Sequence, residues 1–179
     1  MAIVTGSPRT LFIHIPKTGG TSVTKWLRNN TVGSKKDIGK HSKMNEHDIG
    51  DSVFVYTMIR HPYNRVISGY NYHCSLWGGQ FKGSFIDWWE SDLSEISRES
   101  QSAYVTDRLD YFIKLEKQKF QFKKIMEMFK SKVPLDQHNK SGRDKKYPEF
   151  WRANIPQNIQ REIHLIHKDD FDRFGYEVY

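Results

Sequence analysis

The chain has 179 residues, a formal net charge of +7 at neutral pH and a pI near 9.4, values that favour anionic partners. This length suffices for one domain that buries roughly two-thirds of its unfolded surface without metals or disulfides. The single cysteine, Cys74, excludes an internal disulfide, and no apolar run near the N-terminus has the length of a signal core or a membrane span. We therefore expect a soluble, cytoplasmic protein in which residues 1–179 form a single domain.

A strand, a glycine-rich turn and a helix are predicted near the N-terminus. Leu11–Ile15 has the apolar character of a buried strand, and an amphipathic helix starts near Thr21 and ends near Asn30. Adjacent glycines in the turn let the backbone bend tightly, and the N–H groups at a helix start attract an anion. The turn is therefore predicted to bind a phosphate group. The residues expected to hold it are Lys17, Thr18, Gly19, Gly20, Thr21 and Ser22.

The order of residues in this turn differs from the commonest phosphate loop. In that loop the lysine follows the last glycine and the next hydroxyl binds magnesium, whereas Lys17 precedes both glycines. A P-loop nucleotide or small-molecule kinase stays an alternative, although its terminal lysine and acidic metal ligands are not evident. A second alternative is a non-catalytic basic module that binds anions or nucleic acid; it explains the charge but not the ordered turn.

The strand, turn and helix arrangement occurs a second time after a polar stretch, Thr31–Asp51, that reads mainly as loop. Val53–Ile59 is a continuous apolar run typical of a central parallel strand, and Pro62 suits the first position of a helix. Ligands bind beyond the carboxyl ends of strands in open α/β sheets, so Arg60 should share a rim with Lys17. Arg60, with Arg65 and Ser68 on one face of the following helix, predicts a second anion site.

Later segments complete an α/β pattern. A short helix is predicted over Phe85–Trp89, a third buried strand over Tyr111–Leu115, a helix over Phe122–Phe129 and a last helix from Pro156 with Asn154 as its cap. The tryptophans at positions 77, 88 and 89 fit core packing better than a sugar-binding cleft. We predict a three-layer α/β/α fold, similar to that of P-loop NTPases, around a mostly parallel central sheet.

The two turns together resemble the nucleotide-binding motifs of sulfotransferases. Pro16–Ser22 reads Pro-Lys-Thr-Gly-Gly-Thr-Ser, and Arg60–Tyr70 reads Arg-His-Pro-Tyr-Asn-Arg-Val-Ile-Ser-Gly-Tyr. The resemblance is greatest to the carbohydrate branch, which contains the heparan and chondroitin enzymes. Shorter segments follow in that family's order: Lys40–Ser42, Gln101–Tyr104, Tyr111–Glu116, His138–Ser141 and Phe174–Tyr176.

The resemblance implies 3′-phosphoadenosine 5′-phosphosulfate (PAPS) as sulfuryl donor, with no metal. It implies that the first turn surrounds the 5′-phosphosulfate and that Arg60 and Ser68 contact the 3′-phosphate. Arg143, in a basic loop, is a candidate for a further contact to the 3′-phosphate or to a sulfated acceptor. Relatives usually have arginine where this chain has Lys114, so a bidentate contact at that position is in doubt.

Catalytic roles are expected for one lysine and one histidine. Lys17 should stabilise the leaving phosphate, and His41 should accept the proton of the attacking hydroxyl because imidazole titrates near neutral pH. Glu46 and His47 are nearby substitutes for this base, whereas His14 and His61 read as structural. The expected acceptor is a hydroxyl of a carbohydrate or glycoconjugate, and no nucleic acid is expected as a partner.

Overall fold

The computed structural model describes residues 2–39, 41–75, 79–136, 151 and 153–178. The backbone contacts divide the chain into two compact units. The first unit comprises Met1–Arg60 and Ala103–Lys140, and the second comprises His61–Ser102 and Ser141–Tyr179. The expectation that residues 1–179 form a single domain stays a prediction.

A five-stranded sheet forms the centre of the first unit. The strands are β1 (Ile3–Gly6), β2 (Arg9–Ile13), β3 (Lys35–Asp37), β4 (Phe54–Ile59) and β5 (Tyr111–Lys114), in the spatial order β3-β1-β2-β4-β5. β2 pairs in parallel with β4, with Ile13 opposite Thr57, and β4 pairs in parallel with β5, with Ile59 opposite Lys114. β1 is antiparallel to both β2 and β3.

The α/β class is confirmed, but the prediction of a mostly parallel sheet is wrong. A two-residue turn at Ser7 and Pro8 joins β1 to β2, and so short a connection permits only antiparallel pairing. The stretch predicted mainly as loop, Thr31–Asp51, contains β3 and a 3₁₀ helix, Met44–Glu46. The first predicted strand is also shifted, since β2 begins at Arg9 and ends at Ile13 rather than running from Leu11 to Ile15.

Among its described residues the first unit contains the helices α1 (Gly20–Asn30), α5 (Gln118–Gln121) and α6 (Lys123–Met128). α1 and α6 pack apolar side chains on the sheet, whereas Phe120 of α5 is exposed. Their shared core contains Phe12, Val23, Trp26, Leu27, Tyr56, Met58, Ile113, Phe122 and Ile125. The alternating members of β4, such as Val55 and Thr57, are also fully buried, so both faces of this strand are covered as its continuous apolar sequence predicts.

The second unit is helical. The helices whose bounds are described include α2 (Pro62–His73), α3 (Phe85–Glu90), α4 (Glu95–Arg98), α7 (Gln157–Ile166) and α8 (Lys168–Phe174). Pro62 opens α2 as predicted, and the last predicted helix begins at Gln157 with Pro156 in the cap position instead of Asn154. Aromatic rings fill the core, and Trp88 and Trp89 are fully buried in it, which confirms core packing for these two tryptophans. Trp77 lies outside the described residues.

A buried carboxylate stabilises the second unit by binding two backbone N–H groups. Asp170 accepts the backbone N–H groups of Gln101 at 2.8 Å and Ser102 at 2.7 Å, and its Oδ2 lies 3.4 Å from Nδ1 of the buried His167. Burial alone raises the pKa of Asp170, but the hydrogen bonds from His167 and the two N–H groups outweigh it and hold the pKa below its usual value. The negative charge of Asp170 is therefore stabilising in the folded chain.

Replacing Asp170 by Asn should lower the free energy of unfolding at pH 7 by about 1–3 kcal/mol, because buried N–H donors lose a charged acceptor. A depressed folded-state pKa contributes stability above the unfolded pKa, and this contribution is lost as the pH falls through the folded-state pKa. Urea unfolding at neutral and acidic pH should therefore show wild type and Asp170→Asn converging as the pH falls.

The matched control is Asp172→Asn, on the same helix, where the carboxylate pairs with Lys168 in solvent. This exposed pair should contribute little. Equal losses of stability in the two variants would contradict the assignment of Asp170 as a buried anchor.

Candidate functional site

Three parallel strands of the first unit end at one edge of the sheet. The residues that follow β2, β4 and β5 are His14, Arg60 and Leu115. This edge is where α/β sheets position ligands, because the connections to the next elements diverge there. The residues that follow these strands therefore form the candidate site.

The turn between β2 and α1 is tight and partly strained. Lys17 has a φ of 66° and Gly19 a φ of 87°, both in the left-handed region, and Lys17 is not a glycine. The hydroxyl of the fully buried Thr18 donates to the carbonyl of Ile15 at 2.9 Å. The Thr18 hydroxyl thus uses its one proton to close the turn. The predicted contact of Thr18 with an anion is therefore left to its backbone N–H.

The start of α1 suits a negative charge. Gly19 occupies the cap position and brings no side chain, and the first turn contains no acidic residue. The first N–H groups of a helix have no intrahelical acceptor, and the helix dipole adds positive potential there. Thr21 is exposed, while Ser22 is buried and its N–H donates to the carbonyl of Gly19 at 3.0 Å.

Arg60 lies against the turn. It is 6% exposed, and its guanidinium donates to the carbonyl of Lys17 in a long hydrogen bond of 3.4 Å. The structure thus brings together the two cationic residues that the sequence places after neighbouring strands. The guanidinium therefore places a positive charge beside this turn.

His41 also contacts the turn. Its Nδ1 lies 3.1 Å from the carbonyl oxygen of His14, and the two imidazole rings pack edge to face with 4.8 Å between centroids. Its φ of 63° is again left-handed. The alternative base Glu46 is engaged elsewhere, since its carboxylate accepts the N–H of Lys43 at 3.1 Å. The histidine predicted as the base is therefore beside the predicted phosphate loop.

The remaining predicted residues are distributed differently. Ser68 lies in α2, within the second unit, and is partly exposed. Arg65 is fully buried, and its guanidinium donates to the carbonyls of Glu99 at 2.7 Å and Ile96 at 2.9 Å, so its role is to satisfy the end of α4. Arg143 lies outside the described residues. His61 packs among Tyr63, Phe171 and Tyr176, in keeping with a structural role.

Lys114 ends β5, opposite the residue that precedes Arg60 in β4. Burial lowers the pKa of Lys114, and the neighbouring charge of Lys117 lowers it further, whereas the charge of Glu116 raises it.

Among the described residues no cluster of three potential metal ligands is found, and none of their helices is both long enough and apolar enough to cross a bilayer.

A contact that the sequence did not predict lies beneath the start of α1. A Cβ atom added to Gly20 would come within 2.0 Å of His14 Cδ2, so the His14 ring occupies the space where a side chain would be. At Gly19 an added Cβ would come within 2.9 Å of Leu115 Cδ1. Gly20 is thus needed for close packing against the His14 ring, whereas Gly19 is needed mainly for its positive φ, and no spacing rule indicates the contact at Gly20.

A model of the sulfotransferase family matches residues 1–85, a region that contains Lys17, His41, Arg60 and Ser68. No curated protein and no solved structure matches the chain. The two turns identified in the sequence both fall within the matched region.

Replacing Gly20 by Ala should displace the His14 ring and lower the free energy of unfolding by about 1–3 kcal/mol, the usual effect of overpacking. Gly50→Ala is the matched control, because an added Cβ there meets nothing within 4 Å. Chemical denaturation of both variants measures the difference. If Gly20→Ala is as stable as Gly50→Ala, the ring does not fill this space.

Proposed function

We propose that this chain is a sulfotransferase that moves the sulfuryl group of PAPS to a hydroxyl of a carbohydrate or glycoconjugate, and the match of residues 1–85 to a model of the sulfotransferase family supports the reaction class. The observation that carries the proposal is the hydrogen bond between the Arg60 guanidinium and the carbonyl of Lys17. It supports a single anion-binding edge built from two separate sequence motifs. A cytoplasmic location belongs to the same proposal, and the free thiol of Cys74 is compatible with it.

The turn before α1 fits the 5′-phosphosulfate end of such a donor. The glycines leave no side chain at the helix start, which offers N–H groups and positive potential and has no acidic residue in its first turn. We assign binding to the N–H groups of Thr18, Gly19, Gly20 and Thr21, to the hydroxyls of Thr21 and Ser22, and to the ammonium of Lys17. PAPS supplies the sulfuryl group that is transferred.

Lys17 and Arg60 have complementary tasks in this proposal. The ammonium of Lys17 neutralises the negative charge that develops on the phosphate as the bond from sulfur to its oxygen breaks. The guanidinium of Arg60 can bind two oxygens of a phosphate at once, which suits the 3′-phosphate. Ser68 and Arg143 remain predicted contributors to that phosphate, and two fixed cations can stabilise the charge without a metal ion.

His41 completes the proposed chemistry as the general base. As the acceptor oxygen forms its bond to sulfur, the hydroxyl proton passes to the His41 ring. The expected gain from a positioned base is about 10²–10⁴ in rate. The proximity of His41 to the turn supports this assignment over Glu46, whose carboxylate is bonded to the backbone.

Isothermal titration with 3′-phosphoadenosine 5′-phosphate (PAP), the product that remains after transfer, tests the donor site. We expect Lys17→Ala and Arg60→Lys each to weaken PAP binding by about tenfold to a hundredfold, the equivalent of about 1.5–3 kcal/mol for a charge-assisted hydrogen bond. Lys17→Gly also lacks the ammonium, but glycine adopts the positive φ without strain. A difference in PAP affinity between Lys17→Ala and Lys17→Gly therefore reports the effect of backbone strain, and the loss common to both reports the effect of the charge.

Lys25→Ala is the matched control for lost charge, since Lys25 is exposed on the outer side of α1. It should leave PAP affinity nearly unchanged. ATP with and without magnesium is titrated in parallel. Magnesium-dependent ATP binding without PAP binding would favour a kinase and overturn the donor assignment.

His41→Asn should lower the rate of sulfate transfer by about 10²–10⁴ while PAP affinity changes less than about twofold. Asparagine is chosen because it tolerates a positive φ and cannot act as a base near neutral pH. Transfer from labelled PAPS to a panel of sugars measures the rate, with His47→Asn as the matched loop control. An unchanged rate in His41→Asn, or an equal loss in His47→Asn, would remove His41 from the mechanism.

A further inference from the structure

The contact between His41 and His14 determines where the proton of the His41 ring resides. A carbonyl oxygen can only accept a hydrogen bond, so the approach of Nδ1 to the His14 carbonyl at 3.1 Å requires a proton on Nδ1. In the neutral imidazole the other nitrogen, Nε2, then carries the basic lone pair. The hydrogen bond thus selects one of the two tautomers of His41.

The ring of His14 is itself held in place. His14 is 7% exposed, and its ring stacks on Phe12 with a centroid distance of 6.1 Å and an interplanar angle of 29°. The ring also fills the space next to Gly20, where an added Cβ would lie 2.0 Å from Cδ2. A ring enclosed in this way cannot rotate without disturbing the start of α1.

The packing of the two rings limits the orientation of His41. Their centroids are 4.8 Å apart at an interplanar angle of 65°, an edge-to-face arrangement that favours one relative orientation. His41 also needs support from outside its own segment, because its backbone is in the left-handed region and Gly39, two residues earlier, has a φ of 119°. The His14 ring and carbonyl supply that support together.

We propose that His14 is a positioning residue that fixes His41 with its proton on Nδ1, so that Nε2 is the atom that accepts the hydroxyl proton. This inference rests on the proposed function, and it adds a residue and a reacting atom to it. His14 contacts neither reacting group in this scheme. It acts through His41, in the way that a partner on one imidazole nitrogen sets the chemistry of the other.

Histidine NMR on ¹⁵N-labelled protein tests the tautomer directly and needs no activity. In correlation spectra above the titration range, the wild-type His41 ring should give the shifts of a protonated Nδ1 and a non-protonated Nε2, with His41→Asn identifying the signals. A ring protonated on Nε2 would overturn the proposal. This result is independent of PAP binding, so it stands or falls separately from the proposed function.

Two substitutions separate positioning from packing. His14→Phe keeps an aromatic ring against His41, whereas His14→Leu fills a similar space without one. His14→Leu keeps the backbone carbonyl but removes the ring that orients His41 against it. In this variant we therefore expect His41 to leave the carbonyl and become a mixture of tautomers, and kcat to fall about tenfold to a hundredfold, while PAP affinity stays within about twofold. His14→Phe should restore the single tautomer and most of kcat.

A purely structural role for His14 predicts a different pattern. Both variants would then lower the melting temperature, with the His41 tautomer and kcat per folded molecule unchanged, and this pattern would overturn the proposal. If His14→Leu does not fold, the wild-type tautomer and the behaviour of His14→Phe decide the question. If wild type neither binds PAP nor transfers sulfate, the proposed function fails while the NMR result still decides whether His14 fixes His41.

Discussion

The hydrogen bond from the Arg60 guanidinium to the Lys17 carbonyl is the interaction on which the candidate site depends. It joins the residue after β4 to the turn after β2, and parallel pairing of these two strands is what brings both segments to the same edge. Because Arg60 is almost completely buried, its position is set before any ligand arrives. Fixed charges of this kind stabilise an anionic leaving group without reorganisation, which is the main electrostatic advantage of an enzyme over water.

Backbone strain coincides with the proposed chemistry, but strain alone does not identify the site. Lys17 and His41 both have positive φ, a conformation that costs a non-glycine residue about 1–2 kcal/mol. Gln80 and Lys130 share this feature. What distinguishes Lys17 and His41 is that each also contacts a neighbour at the rim, through the Arg60 guanidinium and the His14 carbonyl respectively. Strain that is maintained by several contacts is the kind that functional sites retain.

Much of the fold could be predicted because its central elements are encoded locally. β4 is a run of apolar residues long enough for one strand, and Pro62 marks the start of α2. β1 and β3 could not be predicted in the same way. β3 reads Lys-Lys-Asp, which has no strand periodicity, and it is a strand only because β1 provides hydrogen-bond partners. The mixed sheet therefore follows from a tertiary pairing rather than from the local pattern.

Some features of the candidate site could likewise be predicted from the sequence, and others could not. Residue type and strand position together predict an anion site from the motif around Lys17 and the strand end at Arg60, and the structure brings these two segments into contact. Arg65 could not be distinguished from Arg60 by type, and only the structure shows its guanidinium bonded to the carbonyls of Ile96 and Glu99. A buried arginine satisfies either backbone carbonyls or an anionic ligand, and the sequence does not say which acceptors the fold will bring to it.

His14 illustrates the same limit for packing. In the sequence it is a polar residue at the end of an apolar strand, a pattern that reads as structural. Its proximity to Gly20 makes the absence of a Cβ there necessary, and its carbonyl sets the proton position of His41. His14 thus contacts both the turn proposed to bind phosphate and the proposed base, so it links the two parts of the proposed site mechanically. Substitutions at this position therefore affect the orientation of the base through packing, even though the side chain itself carries no reacting atom.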